Sequence, residues 1–282
     1  MAFNEKKFEI LRHGNNQELK STTRLCTEGG QIITPRSNAK CLGVFLNEDC
    51  SFQEHIRETV RKARSMASWV LRTFSSREAQ TLVTLWRSLI QPVLDYCSQL
   101  WTPNKAGEIQ QLETVQRFFT RQIQGMRDLN YWDRLKASRL YSQQRRRDRY
   151  RAIYIGKVLE GQVPDPTAGA LQPYTTGRKG RLCKRRSLPT TAPQKIRTLL
   201  TASLAYEGPK IFNSLPKEVR DISDCPPAKF KAGLDKFLET VPAEPPVQGY
   251  TSRCRTSNTL PDQVNHKDWD TRMGSSGGPP RL

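Results

Sequence analysis

Arg57, Arg61 and Arg64 recur at steps of four and three residues, with Lys62 beside them. On a helix that spacing sets the three guanidiniums along one face. Phe52, Ile56, Val60, Ala63, Ala67, Val70/Leu71 and Phe74 form an apolar stripe on the other side. A row of long cations on a helix anchored by its back grips a polyanion through its phosphates, and holds a duplex by shape without reading bases. If about six phosphates are neutralised, the logarithm of affinity falls against the logarithm of salt with a slope on the order of −5. Two more basic clusters follow. In RRRDRYR (145–151) the five arginines cannot share one helix face, so some must face solvent while others pair with acids such as Asp148. RKGRLCKRR (178–186) has six basic residues in nine and reads as a loop or tether that can follow a phosphate backbone or be reached by a nuclear-import receptor.

Bond-making chemistry finds no such constellation. Nucleotidyl transfer needs two Mg²⁺ ions held by paired carboxylates. The chain has no Asp-Asp pair; Glu48-Asp49 and the lone Asp95 are the nearest approaches. The three histidines, His13, His55 and His266, have no cysteine pair at zinc-site spacing, and no Gly-rich phosphate loop or Ser/His/Asp set is present. The expectation is no catalytic residue, no metal and no cofactor in this chain. Seven cysteines, an odd number without a C-x-x-C pair, and a charged N-terminus without a secretory signal point to a reducing compartment, nucleus or cytoplasm. No apolar run approaches the ~18 residues of a membrane span.

The elements that must position the basic rows are mostly helical. Lys and Arg outnumber Asp and Glu 46 to 27, a net charge of +19, which opposes compaction unless an anion offsets it. The hydrophobic fraction of 36% is low, so part of the chain is unpacked or packs on something absent. The fold class expected is α+β, mainly α. Residues 1–48 read as short strands, with Gly29-Gly30 as a hairpin turn and KCLGVFL (40–46) as a sheet edge. Residues 49–160 read as a helical bundle. Ser51 and Glu54 form a capping box, Ser76 caps a second helix that Pro92 kinks or divides, and a third runs to about Met126. Residues 161–205 read as a basic connector, 206–241 as a docking element with a closing helix, and 242–282 as a disordered tail.

Several ordered words resemble one family. KCLGVFLNEDCSFQEHIRETVRKA (40–63), RTFSSREAQTLVTLWRSLIQPVLDYCSQLWTP (72–103), IQQLETVQRFFTRQIQGMRDLNYWDRL (109–135) and GPKIFNSLPKEVRD (208–221) are similar to the region after the catalytic palm in reverse transcriptases of non-long-terminal-repeat retrotransposons, the jockey-like elements in particular. The resemblance spans roughly residues 1–240. It implies that Leu42-Gly43 is the primer-grip turn, that residues 51–160 are the thumb, and that Lys7, followed by Phe8 where the family has a small or polar residue, matches the lysine near the incoming nucleotide. It also implies RNA-directed DNA polymerisation for the whole enzyme, with Mg²⁺ held by palm aspartates that this chain lacks. The expected partners are an RNA–DNA hybrid or other nucleic acid and the missing fingers and palm; no membrane is implied. The candidate contacts are Leu42, Gly43, Arg57, Arg61, Lys62 and Arg64. A stand-alone nucleic-acid-binding protein and an inert helical scaffold are the alternatives.

Overall fold

The computed structural model describes residues 7–14, 16–103, 105–167, 169–222, 227–244 and 258–265. The molecule is α+β and mainly helical. Among the described residues no helix is long and apolar enough to cross a membrane.

The N-terminal segment holds short strands, as its composition suggests, but also a helix. β1 (Ile10–Leu11) pairs in parallel with β2 (Pro35–Arg36), and between them lies α1 (Gln17–Thr22), capped by the Asn16 side chain on the Leu19 amide. The Gly29-Gly30 hairpin is reduced to one bridge between Cys26 and Ile32. KCLGVFL is not one strand. It is two halves of a hairpin, β3 (Asn38–Cys41) and β4 (Val44–Asn47), which reverse at Leu42-Gly43. Both turn residues have positive φ, 46° and 88°, which a tight two-residue hairpin requires and Gly43 adopts freely.

The first core is built on α2 (Gln53–Thr73), whose Ile56, Val60, Ala63, Ala67 and Val70 are buried at the spacing the sequence predicts. The Ser51–Glu54 capping box does not form. The cap position falls to Phe52 without a side-chain bond, and the Ser51 amide is drawn to Asp49 (2.9 Å). Ser76 caps only weakly, 3.4 Å from the Glu78 amide; the Arg77 guanidinium instead closes the end of α2 by donating to the carbonyls of Leu71 (2.8 Å) and Phe74 (2.5 Å). Pro92 neither divides the next helix nor stops it. α3 (Ala79–Leu85) widens into a π-helical segment, Trp86–Ile90, and resumes as α4 (Gln91–Asp95). The wide turn, in which the Gln91 amide reaches the Trp86 carbonyl, absorbs the missing proline N–H. α5 (Ala106–Thr120) ends before the expected Met126 and closes the core with Leu112, Val115 and Phe119. Leu100 and Phe118 are exposed.

After α6 (Tyr131–Ser138), capped by Asn130, α7 (Gln143–Leu159) links the first core to a second. Its first turns face the first core, where Gln143, Gln91 and Gln116 form a buried chain of amide hydrogen bonds. Its last turns supply Ala152, Ile153, Ile155 and Val158 to the second core. That core includes α9 (Leu204–Asn213), α10 (Lys217–Arg220) and α11 (Pro227–Glu239).

The connector is folded, not a tether. β5 (Pro173–Thr176) and β6 (Gly180–Cys183) make a hairpin inside the basic stretch, and α8 (Gln194–Ala202) follows. The expected disorder of 242–282 also fails in part: residues 258–265 turn back onto the second core with Leu260 fully buried. Residues 245–257 and 266–282 lie outside the described residues.

Candidate nucleic-acid interface

Arg57, Arg61, Lys62 and Arg64 are all exposed. Arg57, Arg61 and Arg64 share a stripe of α2; Lys62 sits about 140° around the axis from Arg57, at ~100° per residue, and does not extend the row. The stripe is partly neutralised within the helix. Arg57 pairs with Glu54 (3.8 Å), and Arg61 holds both oxygens of Glu58 (3.1 and 2.9 Å). The Arg61 hydrogen bond holds the Glu58 carboxyl below its ordinary range, helped by Lys62 and Lys40 nearby. Such exposed pairs are weak, so a phosphate can displace the carboxylates. Arg64 reaches across to Thr114 on α5 (2.8 Å).

The Leu42-Gly43 turn stands beside this helix and is held from two sides. The Tyr96 hydroxyl donates to the Leu42 carbonyl (2.8 Å), and a Cβ on Gly43 would sit 3.4 Å from the Tyr96 ring. The other hold is His55, whose Nδ1 accepts the Phe45 amide (3.4 Å) while its ring stands edge-on to Trp101 at 4.6 Å. Burial pushes the His55 pKa down to about 4, with the positive charges of Lys62 and Arg147 adding to it. His55 is thus a neutral tie between hairpin and helix. Leu42 projects into solvent, 88% exposed. Lys7 is exposed at the start of the described segment, ahead of β1.

RRRDRYR is interior. Arg145, Arg147 and Arg151 are buried, and Arg146 and Arg149 are tied to Asp95 (2.6 Å) and Asp235 (2.6 Å). Arg147 lies over the Trp101 ring at 4.5 Å and donates to the Leu94 carbonyl (3.0 Å). Arg145 donates to the carbonyls of Val241 (3.0 Å) and Pro242 (2.7 Å) and to Gln263. Burial lowers the pKa of Arg145 and Arg147 to about 10, so both remain charged at neutral pH. These arginines staple the two cores and the turn at 258–265 together, and none of them is left as an exposed cation. In RKGRLCKRR, Arg178, Lys179, Lys184, Arg185 and Arg186 are exposed, whereas Arg181 pairs with Glu160.

The end of α5 lies outside the three basic clusters that the sequence marks. There Arg117, Phe118, Arg121 and Gln122, with Arg127 from the next turn and Arg134 from α6, line an open cleft of about 610 Å³. The signal lies in the spacing, which sets Arg117, Phe118 and Arg121 on the Thr114 side of α5. Among the described residues no cluster of three or more acidic, cysteine or histidine side chains is arranged to hold a metal.

No protein-family model matches the chain, and no solved structure matches it. It is 26% identical over 134 residues to an uncharacterized protein of Caenorhabditis elegans, a span that covers 46% of this chain and 68% of that one.

Proposed function

We propose that this chain is the primer-grip, thumb and post-thumb part of a non-long-terminal-repeat reverse transcriptase, and that it holds a template–primer duplex without making bonds itself. The observation that carries the reading is the build of α2. Its exposed face presents Arg57, Arg61 and Arg64, and its opposite face is anchored by fully buried Ala63, Ala67 and Val70. A rigid cationic rail of this kind suits a hybrid recognised by backbone shape. The Leu42-Gly43 turn beside it brings main chain and an exposed leucine to where a primer end would lie. Polymerisation would require the fingers and palm, whose aspartates would hold Mg²⁺; within this chain Lys7 is the residue nearest that chemistry by resemblance. The compartment in which such a chain would work is the nucleus or cytoplasm.

Hybrid binding measured across a salt series tests the reading. The expected log–log slope is on the order of −5, and changing Arg57, Arg61 and Arg64 together to Gln should make it shallower by about 2–3. A flat salt dependence of the parent chain favours an inert scaffold. Primer extension on a primed RNA template with Mg²⁺ is expected to yield no product, and synthesis by this chain alone would overturn the proposal.

A further inference from the structure

The cleft at the end of α5 differs in kind from the α2 rail. The rail is convex, and two of its arginines hold carboxylates of their own helix. The cleft is concave, and its lining contains no acid. Among the described residues none of Arg117, Arg121, Arg127 and Arg134 forms an ion pair. Arg117 lies over the Tyr131 ring at 4.4 Å, and its Nε is buried without a hydrogen-bond partner. Arg134 is buried, anchored by the Leu129 carbonyl (2.6 Å) and Thr120 (3.3 Å). Burial lowers its pKa, and the positive charges of Arg121 and Arg117 lower it further. Glu113, a buried acid that feels the charge of Arg117, is engaged by the Tyr131 hydroxyl and the Gln144 amide, and burial pushes its pKa up, which weakens it as a counter-charge. Concentrated like charge of this kind destabilises the free protein and is relieved by an anion.

A second feature narrows the anion. Phe118 is 45% exposed at the cleft's lip, between the guanidiniums. A cleft lined by arginines with an exposed aromatic suits an unpaired nucleotide, whose phosphate meets the arginines while its base stacks on the ring. A base-paired strand keeps its bases stacked inside the duplex and leaves the ring unused. The place of the cleft fits too. Arg64 touches Thr114, and the Arg77 carbonyl accepts the Gln124 amide, so α2 and α5 run in the same direction side by side. The row Arg57–Arg61–Arg64 therefore passes onto Thr114, Arg117 and Arg121. At ~1.5 Å per residue the two segments together run roughly 20 Å, a path for several nucleotides.

We propose that the cleft formed by Arg117, Arg121, Arg127 and Arg134 with Phe118 binds single-stranded nucleic acid leading from the duplex held on α2. This rests on the proposed duplex grip, and the test separates the two. Fluorescence anisotropy of the full chain is read with an unstructured oligothymidine and, separately, with a blunt hybrid duplex. Both Arg121 and Arg127 are exposed, so Arg121→Gln/Arg127→Gln should fold, and Phe118→Ala removes an exposed ring. Each variant is expected to bind the single strand about tenfold or more weaker, by the usual contribution of base–aromatic stacking and phosphate contacts, and the duplex within about twofold of the parent. Equal loss for both ligands makes the cleft a continuation of the duplex rail and overturns the single-strand assignment. Unchanged single-strand affinity overturns it also. So does an oligothymidine complex that inorganic pyrophosphate displaces and that is indifferent to Phe118→Ala, which marks a plain anion site. A parent chain that binds single strand but no duplex fails the grip proposal and leaves the cleft intact.

Discussion

Leu42 holds a backbone conformation that its own side chain resists. Its φ of 46° places Cβ against the following carbonyl, at a cost of roughly 1 kcal/mol, and almost nothing packs on the side chain in return. Under the proposed primer grip, that strain holds the side chain on the turn where a primer end would lie. Leu42→Asn is therefore expected to raise stability by about 1 kcal/mol and Tm by about 2–4 °C while weakening hybrid binding. A thermal scan with hybrid titration reads both, and a lower Tm would contradict the strained turn. His55 supplies a second residue-level test. The folded chain keeps its ring neutral down to about pH 4, whereas the unfolded chain protonates it near 6.5. Between those values the unfolded state binds the extra proton, so stability contributed at neutral pH is lost as pH falls, by at most ~3 kcal/mol. Titration of the His55 ring by NMR should give a midpoint near pH 4; one near 6.5 would mean that the ring is not held between Phe45 and Trp101.

Among the elements, helices were legible where period and burial coincide. α2 covers the stretch that its apolar stripe marks, because a buried face and an exposed one write themselves into sequence. The connector was not legible. Its basic residues and glycines read as loop because the partners that fold it come from thirty to forty residues away. Asn213 acts as a strand edge: its amide accepts the Cys183 N–H (2.8 Å) and donates to the Cys183 carbonyl (2.9 Å). Arg220 reaches the carbonyls of Lys179 (2.9 Å) and Arg181, and Asp221 accepts the Arg181 amide (2.7 Å). Even Pro209, inside α9, contributes, since its missing N–H frees the Ala205 carbonyl for the Arg186 amide (3.3 Å). The word GPKIFNSLPKEVRD is thus a clamp for a basic hairpin, a role that no periodicity shows. Asn213→Ala strands two backbone groups of half-buried character and is expected to cost about 1–3 kcal/mol. Hydrogen exchange should then speed up at Cys183 and Arg181 while α2 stays protected; uniform loss of protection would show that the hairpin is not a separate clamped unit. The rail on α2 was legible for the same reason as the helix, and the cleft was not, because Arg127 and Arg134 join Arg117 and Arg121 only after the chain turns at Gly125.

Across the whole molecule the large positive charge divides into two populations. Among the described residues one is exposed, as on the α2 rail and at Arg121, Arg127, Arg178 and Lys179; the other, chiefly on α7, is buried or paired and holds two cores together. The interior set ends at the C-terminal turn, where the Leu260 amide donates to Asp148 (2.8 Å) and Gln263 receives Arg145. Removing everything after Glu244 takes away the buried Leu260 side chain and these bonds, and is expected to cost about 2–4 kcal/mol. The loss should depend on pH. Burial raises the Asp148 pKa to about 6, against 3.8 in the unfolded chain. The folded state therefore binds the extra proton between those values, and stability from this group is fully present below 3.8 and lost as pH rises through about 6. Truncation opens Asp148 to water and returns its pKa toward 3.8, so the shortened chain forfeits that acid-side gain. The stability gap between full and truncated chains, from urea unfolding at a series of pH values, should widen by about 1–3 kcal/mol as pH falls from about 6 to 4. In the full chain the same term runs opposite to that of His55, so the shortened chain should also show the steeper decline in acid. A gap independent of pH would mean that Asp148 is not sealed by the turn at 258–265.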